Sequence, residues 1–188
     1  MKIMILIDCQ NDFITGPLGS KEAVIAAENM VKYLRNYNEP DTLALYTKDT
    51  HRKNYLDTLE GKKLPIPHCI EFTPEWSIYK PISQEVDYSG KFYTYSTANI
   101  KMGRILKNTF GSEKLIEILK DIQKAVGIES ITFMGLDTDI CVVSNVLMTK
   151  AALPETPIYV VADCCAGTTP EKHDAALKVM HSCQIEII

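Results

Sequence analysis

The stretch Ile131-Thr132-Phe133-Met134-Gly135-Leu136-Asp137-Thr138-Asp139-Ile140-Cys141-Val142-Val143-Ser144-Asn145-Val146-Leu147 decides the fold. Residues 131–134 are a short apolar run, the pattern of a strand buried on both faces. A turn over 135–140 follows, and from 141 to 151 the apolar positions take helical spacing. Strand, turn and helix in this order make the repeating element of a parallel sheet. They also set Cys141 where the helix begins.

Working outward, further apolar runs at 3–7, 42–46, 105–106, 158–161 and 185–188 read as strands. Helical spacing at 20–35, 112–126 and 169–181 alternates with them. Ser20, Ser112 and Thr169 stand at cap positions, and Glu22, Glu113 and Glu171 fall in the first turns. The class is therefore α/β with a mostly parallel sheet. Residues 48–103, with Pro65, Pro67, Pro74 and Pro81 and little periodicity, are expected to fold over the sheet edge as a long loop region. No repeat or linker divides the 188 residues, so residues 1–188 are expected to form a single domain.

Composition narrows the function. Hydrophobic residues are 46% and charged residues 23%, as in a globular protein with a core. The net charge of -4 with scattered basic residues gives no footprint for nucleic acid or a membrane surface, which leaves a small molecule as the expected partner. The amino terminus reads as a strand running into Asp8, Gln10, Asn11 and Asp12 rather than into a cleavage site, so the expected location is the cytoplasm. The six cysteines are then read as free thiols.

In an open parallel sheet, ligands bind beyond the carboxyl ends of the strands. Asp8 follows the first strand, Asp49 and His51 the second, Lys107 the run 105–106, and Cys141 the run 131–134. A thiol at a helix amino terminus is expected to have a lowered pKa, and a lysine nearby would favour the thiolate further. An aspartate could carry the proton that leaves sulfur and reaches a departing amine. The bland alternative is that Cys141 is a small buried hydrophobe and Asp8 a turn residue. A phosphatase would need a second aspartate where Gln10 stands. Asp49 and His51, two apart on an extended segment, can face the same side, and His68 lies in the covering loop. Three such ligands suit zinc or iron(II) with open positions, and structural hydrogen bonds are the other reading. Cys9, Cys69, Cys164, Cys165 and Cys183 are read as packing residues, and His173 and His181 as exposed or capping helix residues.

The segments Asp8-Cys9-Gln10-Asn11-Asp12-Phe13, Thr47-Lys48-Asp49-Thr50-His51, Lys107-Asn108-Thr109-Phe110-Gly111-Ser112 and Gly135-Leu136-Asp137-Thr138-Asp139-Ile140-Cys141-Val142 resemble the four signatures of the isochorismatase-like cysteine hydrolases, in their usual order. The resemblance implies a doubly wound, three-layer α/β/α fold and a triad of Asp8, Lys107 and Cys141. It also implies a cis peptide before Asp137, an oxyanion hole from the Asp137 and Cys141 amides, and Phe13 as a pocket wall. The resemblance to the nicotinamidases of that superfamily implies a metal bound through Asp49, His51 and His68. Those enzymes tend to carry a tryptophan where this chain has Leu64-Pro65-Ile66, and residues 88–103, with Tyr93 and Tyr95, also depart from their pattern.

The implied activity is hydrolysis of a small carboxamide through a thioester on Cys141, with a dimer or tetramer as the implied assembly. A ureido or carbamoyl amidase and an isochorismatase are the rival enzymes, and the last does not need a cysteine nucleophile. A catalytically silent protein that binds a metabolite or metal is the rival of another class.

Overall fold

The computed structural model of the chain describes residues 1–94 and 103–188. Among them, seven strands form one sheet: β1 (Lys2–Ile7), β2 (Thr42–Asp49), β3 (Phe92–Thr94), β4 (Arg104–Lys107), β5 (Ser130–Leu136), β6 (Ile158–Ala166) and β7 (Glu186–Ile187). The order is β3-β2-β1-β5-β6-β7, and the observed pairings are parallel. The outer edge beside β2 is shared end to end, β3 lying against Thr42 to Ala44 and β4 against Tyr46 to Asp49.

The helices are α1 (Asn11–Ile14), α2 (Lys21–Asn36), α3 (Leu59–Lys63), α4 (Lys80–Asp87), α5 (Glu113–Val126), α6 (Val143–Ala152) and α7 (Pro170–Ser182). They cover both faces of the sheet, giving the doubly wound arrangement. α2 packs on α4 and lies across β5 and β6, while α5, α6 and α7 pack successively on one another. The expected caps form: Ser20, Ser112 and Thr169 each accept a bond from the amide three residues on. Such a cap contributes about 1 kcal/mol.

Winding on either side of the central strands makes the β1–β5 boundary the switch point where an α/β sheet binds ligands. Gly135 lets β5 approach β1 there. Its φ is +140°, and a Cβ on it would sit 2.1 Å from the Ile7 carbonyl oxygen, so no side chain fits.

Two sequence expectations change. Residues 48–103 are not simply a loop: they hold a 3₁₀ turn at Tyr55–Asp57, α3, α4 and β3. In α4, Ile82 and Val86 bury one face four residues apart, and Pro81 in its first turn starts the helix rather than breaking it. The helix expected from 141 begins as α6 at Val143, and Cys141 lies instead in a π-helical turn, Thr138–Val142. Of the 88–103 stretch, Tyr93 is exposed on β3 and Tyr95 lies outside the described residues.

Candidate active site

Asp8 leaves the end of β1 with φ +46°, a left-handed backbone that Asp and Asn tolerate better than other side chains. Thr47 on the neighbouring β2 fixes it twice, accepting from the Asp8 amide at 3.1 Å and donating to Oδ1 at 2.7 Å. Lys107 ends β4, with its Nζ 2.6 Å from Asp8 Oδ2 and donating to Cys141 Sγ at 3.5 Å. The three sequence-distant residues thus converge as one buried cluster. Asn145, fully buried on α6, ties it together: its Nδ2 donates to the Cys141 carbonyl at 2.8 Å and the Phe110 carbonyl at 3.1 Å, and its Oδ1 accepts from the Ser112 amide at 2.9 Å. The Leu136–Asp137 peptide is cis.

The electrostatics correct one expectation. Burial, and then the Asp8 carboxylate, push the Cys141 thiol up, and Lys107 only partly opposes them. Desolvation therefore outweighs the helix-terminus effect on which a lowered thiol pKa was expected. Burial alone would lower Lys107, but the Asp8 and Asp49 carboxylates hold it firmly protonated. Burial pushes the Asp8 carboxyl up as well, with Lys107 and Thr47 opposing, so the cluster sets Asp8 and Lys107 in direct contact beside a thiol that burial keeps from ionising easily.

Asp49 ends β2 and is the lateral neighbour of Lys107 in the sheet register, with Oδ1 3.7 Å from its Nζ. Its Oδ2 lies 2.9 Å from His51 Nε2 and 3.3 Å from His68 Nε2. His68 arrives because the loop after α3 runs beside His51, whose amide donates to the Cys69 carbonyl while its own carbonyl accepts from the Glu71 amide, both at 2.9 Å. The Asp49, His51 and His68 ligand atoms lie within 4.8 Å of one another. Burial alone would raise the Asp49 carboxyl, but hydrogen bonds from both imidazoles hold it well below the usual carboxylate range. Burial would likewise lower His68, and its bonds to Asp49 and the Ile66 carbonyl reverse that.

This donor set fits a divalent metal. His68 Nδ1 lies 2.9 Å from the Ile66 carbonyl oxygen, which can only accept, so Nδ1 carries a proton; a metal taking the place of the Nε2 proton shared with Asp49 would find Nε2 as a ligand atom. Glu60 on α3 adds a second carboxylate, with Oε1 3.7 Å from His51 Nε2 and 3.8 Å from His68 Nε2.

A cavity of about 320 Å³ opens over both clusters. Phe13, Leu64 and Phe110 supply apolar wall, and Asp49, Glu60, His68, Asp137 and Cys141 supply chemistry. Phe13 also meets the His68 ring edge-on at 5.7 Å. Leu64 lines the cavity in the segment where the tryptophan is missing. Trp76 is not among the lining residues: its Nε1 donates to Thr50 Oγ1 at 3.0 Å and its ring covers the Lys48 ammonium. A larger open groove of about 1100 Å³, lined in part by Lys2, Tyr33, Ser130 and Ile188, contains none of these groups.

Sequence reasoning missed several supports. The first signature fastens the covering segment: Gln10 Nε2 donates to the carbonyls of Asp49 and Trp76, Asn11 Nδ2 to that of Pro74, and Asp12 accepts from the Cys69 amide. His173 is half-buried rather than an exposed helix residue, its Nδ1 2.8 Å from Thr138 Oγ1. Asp139 accepts from the Thr168 amide and hydroxyl at 2.8 and 2.7 Å, which pins the turn carrying Cys141 to the segment before α7. Glu60 and Asn145 carry no motif of their own: Glu60 meets His51 and His68 only once the covering segment folds, and Asn145 reaches Ser112 and Phe110 more than thirty positions away.

The isochorismatase domain family model matches residues 2–188, and the chain belongs to that family of hydrolases. A nicotinamidase of Schizosaccharomyces pombe is 24% identical over 222 aligned positions, covering 98% of this chain and 91% of the relative. Among solved structures, a pyrazinamidase/nicotinamidase of Streptococcus mutans superposes with a TM-score of 0.79 at 19% identity, over the full length of both chains. The pyrazinamidase of Pyrococcus horikoshii in complex with zinc gives 0.71 at 21% identity, covering 100% of this chain and 98% of the other. These likenesses establish the fold. No helix among the described residues is long and apolar enough to cross a membrane.

Proposed function

We propose that the protein hydrolyses a small carboxamide with Cys141 as nucleophile, as a nicotinamidase-like amidase. The observation that carries this reading is the single lysine ammonium reaching both Asp8 Oδ2 at 2.6 Å and Cys141 Sγ at 3.5 Å, at the edge of a cavity that fits a small molecule.

Because burial and the Asp8 carboxylate push the free thiol up, its activation waits for substrate. As sulfur attacks the amide carbonyl carbon, the thiol proton passes to Asp8, while the Asp137 and Cys141 amides receive the oxyanion. Asp8 returns the proton to the amide nitrogen, the C–N bond breaks and ammonia leaves a thioester. Water then attacks the thioester, giving its proton to Asp8. Collapse expels the Cys141 sulfur, which recovers the proton and releases the acid. Lys107 stays charged throughout and balances the carboxylate. Asp49, His51 and His68 would hold a divalent ion, zinc or iron, which supplies Lewis acidity toward a substrate heteroatom or a water.

The test is ammonia release over a carboxamide panel that begins with nicotinamide, with acid-quenched mass spectrometry for an acyl group on Cys141. The expected result is turnover with a transient acyl adduct at that residue. No ammonia from any member, or turnover with an adduct elsewhere, overturns the reading. Leu64 in the wall favours a carboxamide other than a flat pyridine as the better substrate, so nicotinamide is expected to show a higher KM than another member of the panel. A highest kcat/KM for nicotinamide would reverse that ranking.

A further inference from the structure

The two aspartates of the nucleophile turn have opposite circumstances. Asp139 is fully engaged by Thr168. Asp137 stands at the amino-terminal cap position of the Thr138–Val142 turn, where an aspartate ordinarily accepts a backbone amide bond, and it makes no such bond. Among the described residues it has no side-chain hydrogen bond and no cation within ion-pair distance. It lines the active-site cavity instead. Burial first, then Asp139 and Asp8, push its carboxyl up to about 7, with His68 opposing.

Among the described residues, three carboxyl groups, Asp49, Glu60 and Asp137, line this cavity, and no lysine or arginine does. Asp49 and Glu60 face the two imidazoles, which leaves Asp137 without a counterpart among the described residues. A carboxylate also opposes an oxyanion forming at its own backbone amide, unless a positive or hydrogen-bond-donating group stands beside it. A metal held by Asp49, His51 and His68 would answer those groups, which leaves the substrate as the source of a donor for Asp137 itself.

We propose that the Asp137 side chain determines specificity: it receives an N–H donor of the substrate, a cationic one by preference, and turns away substrates that carry a carboxylate. The inference rests on the amide-hydrolase reading for the location of the scissile group, and it narrows the substrate class to small carboxamides bearing an amino or comparable nitrogen. It also argues against an isochorismatase-type substrate wherever the carboxylate would lie beside Asp137, with no lysine or arginine among the described lining residues to offset that carboxyl.

Binding of three probes of one size tests this directly: benzamide, 3-(aminomethyl)benzamide and 3-carboxybenzamide, titrated by calorimetry into the wild type, Asp137→Asn and Asp137→Ala. In the wild type the aminomethyl compound is expected to bind about tenfold more tightly than benzamide, and the carboxy compound more weakly than either. Asp137→Asn keeps the shape and removes the charge, and should bring the amine's advantage to within about threefold. Asp137→Ala should do the same and relieve the penalty on the carboxy compound. Failure of the wild type to prefer the amine, or a preference unchanged in both variants, overturns the proposal. Ammonia release from the same compounds reports separately on the amide-hydrolase reading. If that fails while the Asp137-dependent preference holds, the pocket chemistry stands and the reaction assignment falls.

Discussion

The thiol cluster and the histidine cluster lie side by side at the end of β2, yet they balance charge in opposite ways. Asp8 and Lys107 neutralise each other within 2.6 Å, so that cluster is complete in the apoprotein. Asp49, Glu60, His51 and His68 instead bring acceptors and lone pairs to one place, with the imidazoles as the available positive partners. In the proposed reading the self-balanced cluster moves a proton internally, whereas the converging donor set could receive a cation. One lysine separates the roles, since Lys107 is close to Asp8 and 3.7 Å from Asp49.

The strongest way to break this comparison is Cys141→Ala. It should lower turnover by about 10⁴-fold or more, with far-ultraviolet circular dichroism unchanged, because a small side chain is removed and the ion pair remains. Substantial residual activity would mean that the histidine cluster does the chemistry. Asp8→Asn should cost about 10²- to 10⁴-fold in kcat. It should also destabilise the protein by about 3–5 kcal/mol in denaturant unfolding, since Lys107 is left buried without its counter-charge. Unchanged stability would show that the pair is not self-balancing.

His51→Ala probes the other side. It should abolish stoichiometric metal by elemental analysis and lower the rate, while leaving the Asp8–Lys107 stability contribution in place. Less than about a tenth of an equivalent of any transition metal in the wild type, with chelators leaving the rate unchanged, would make the cluster a hydrogen-bond network.

The smallest effect concerns a third balance. Lys48 has its ammonium 3.0 Å from the Trp76 ring centroid, and burial lowers its pKa to about 8. A lysine lowered in the fold binds fewer protons folded than unfolded between pH 8 and its ordinary value near 10.5. The wild type should therefore gain stability relative to Lys48→Met as pH rises through that window. The Trp76 face, which favours the charged form, keeps the change to about 1–2 kcal/mol. A flat difference across the window would show that the aromatic face fully compensates the charge.

The parallel sheet and the rim positions of Asp8, Asp49 and Cys141 were legible because apolar runs, turn residues and helix caps are local signals. α4 was not, because its eight residues carry two apolar anchors and a proline that reads as a breaker away from its context. Lys107 drew its meaning from the signature around it, and position alone would have made it a surface lysine. Glu60, Asn145 and His173 escaped because their partners are supplied by folding rather than by neighbours in the chain. The direction of the Cys141 shift was misjudged for a related reason: the helix terminus is visible in sequence, whereas the burial that overrides it is a property of the assembled core.

The left-handed backbone at Asp8 bears on how such an enzyme can decay. At φ +46° most side chains are strained, so the substitutions that keep the β1 exit intact are chiefly Asn and Gly. A lineage losing activity by drift would pass most easily through Asp8→Asn, an exchange that spares the backbone and discards the proton carrier. Silent descendants of this fold should therefore be recognisable by an asparagine at the end of the first strand, beside a cysteine and histidines that still look competent.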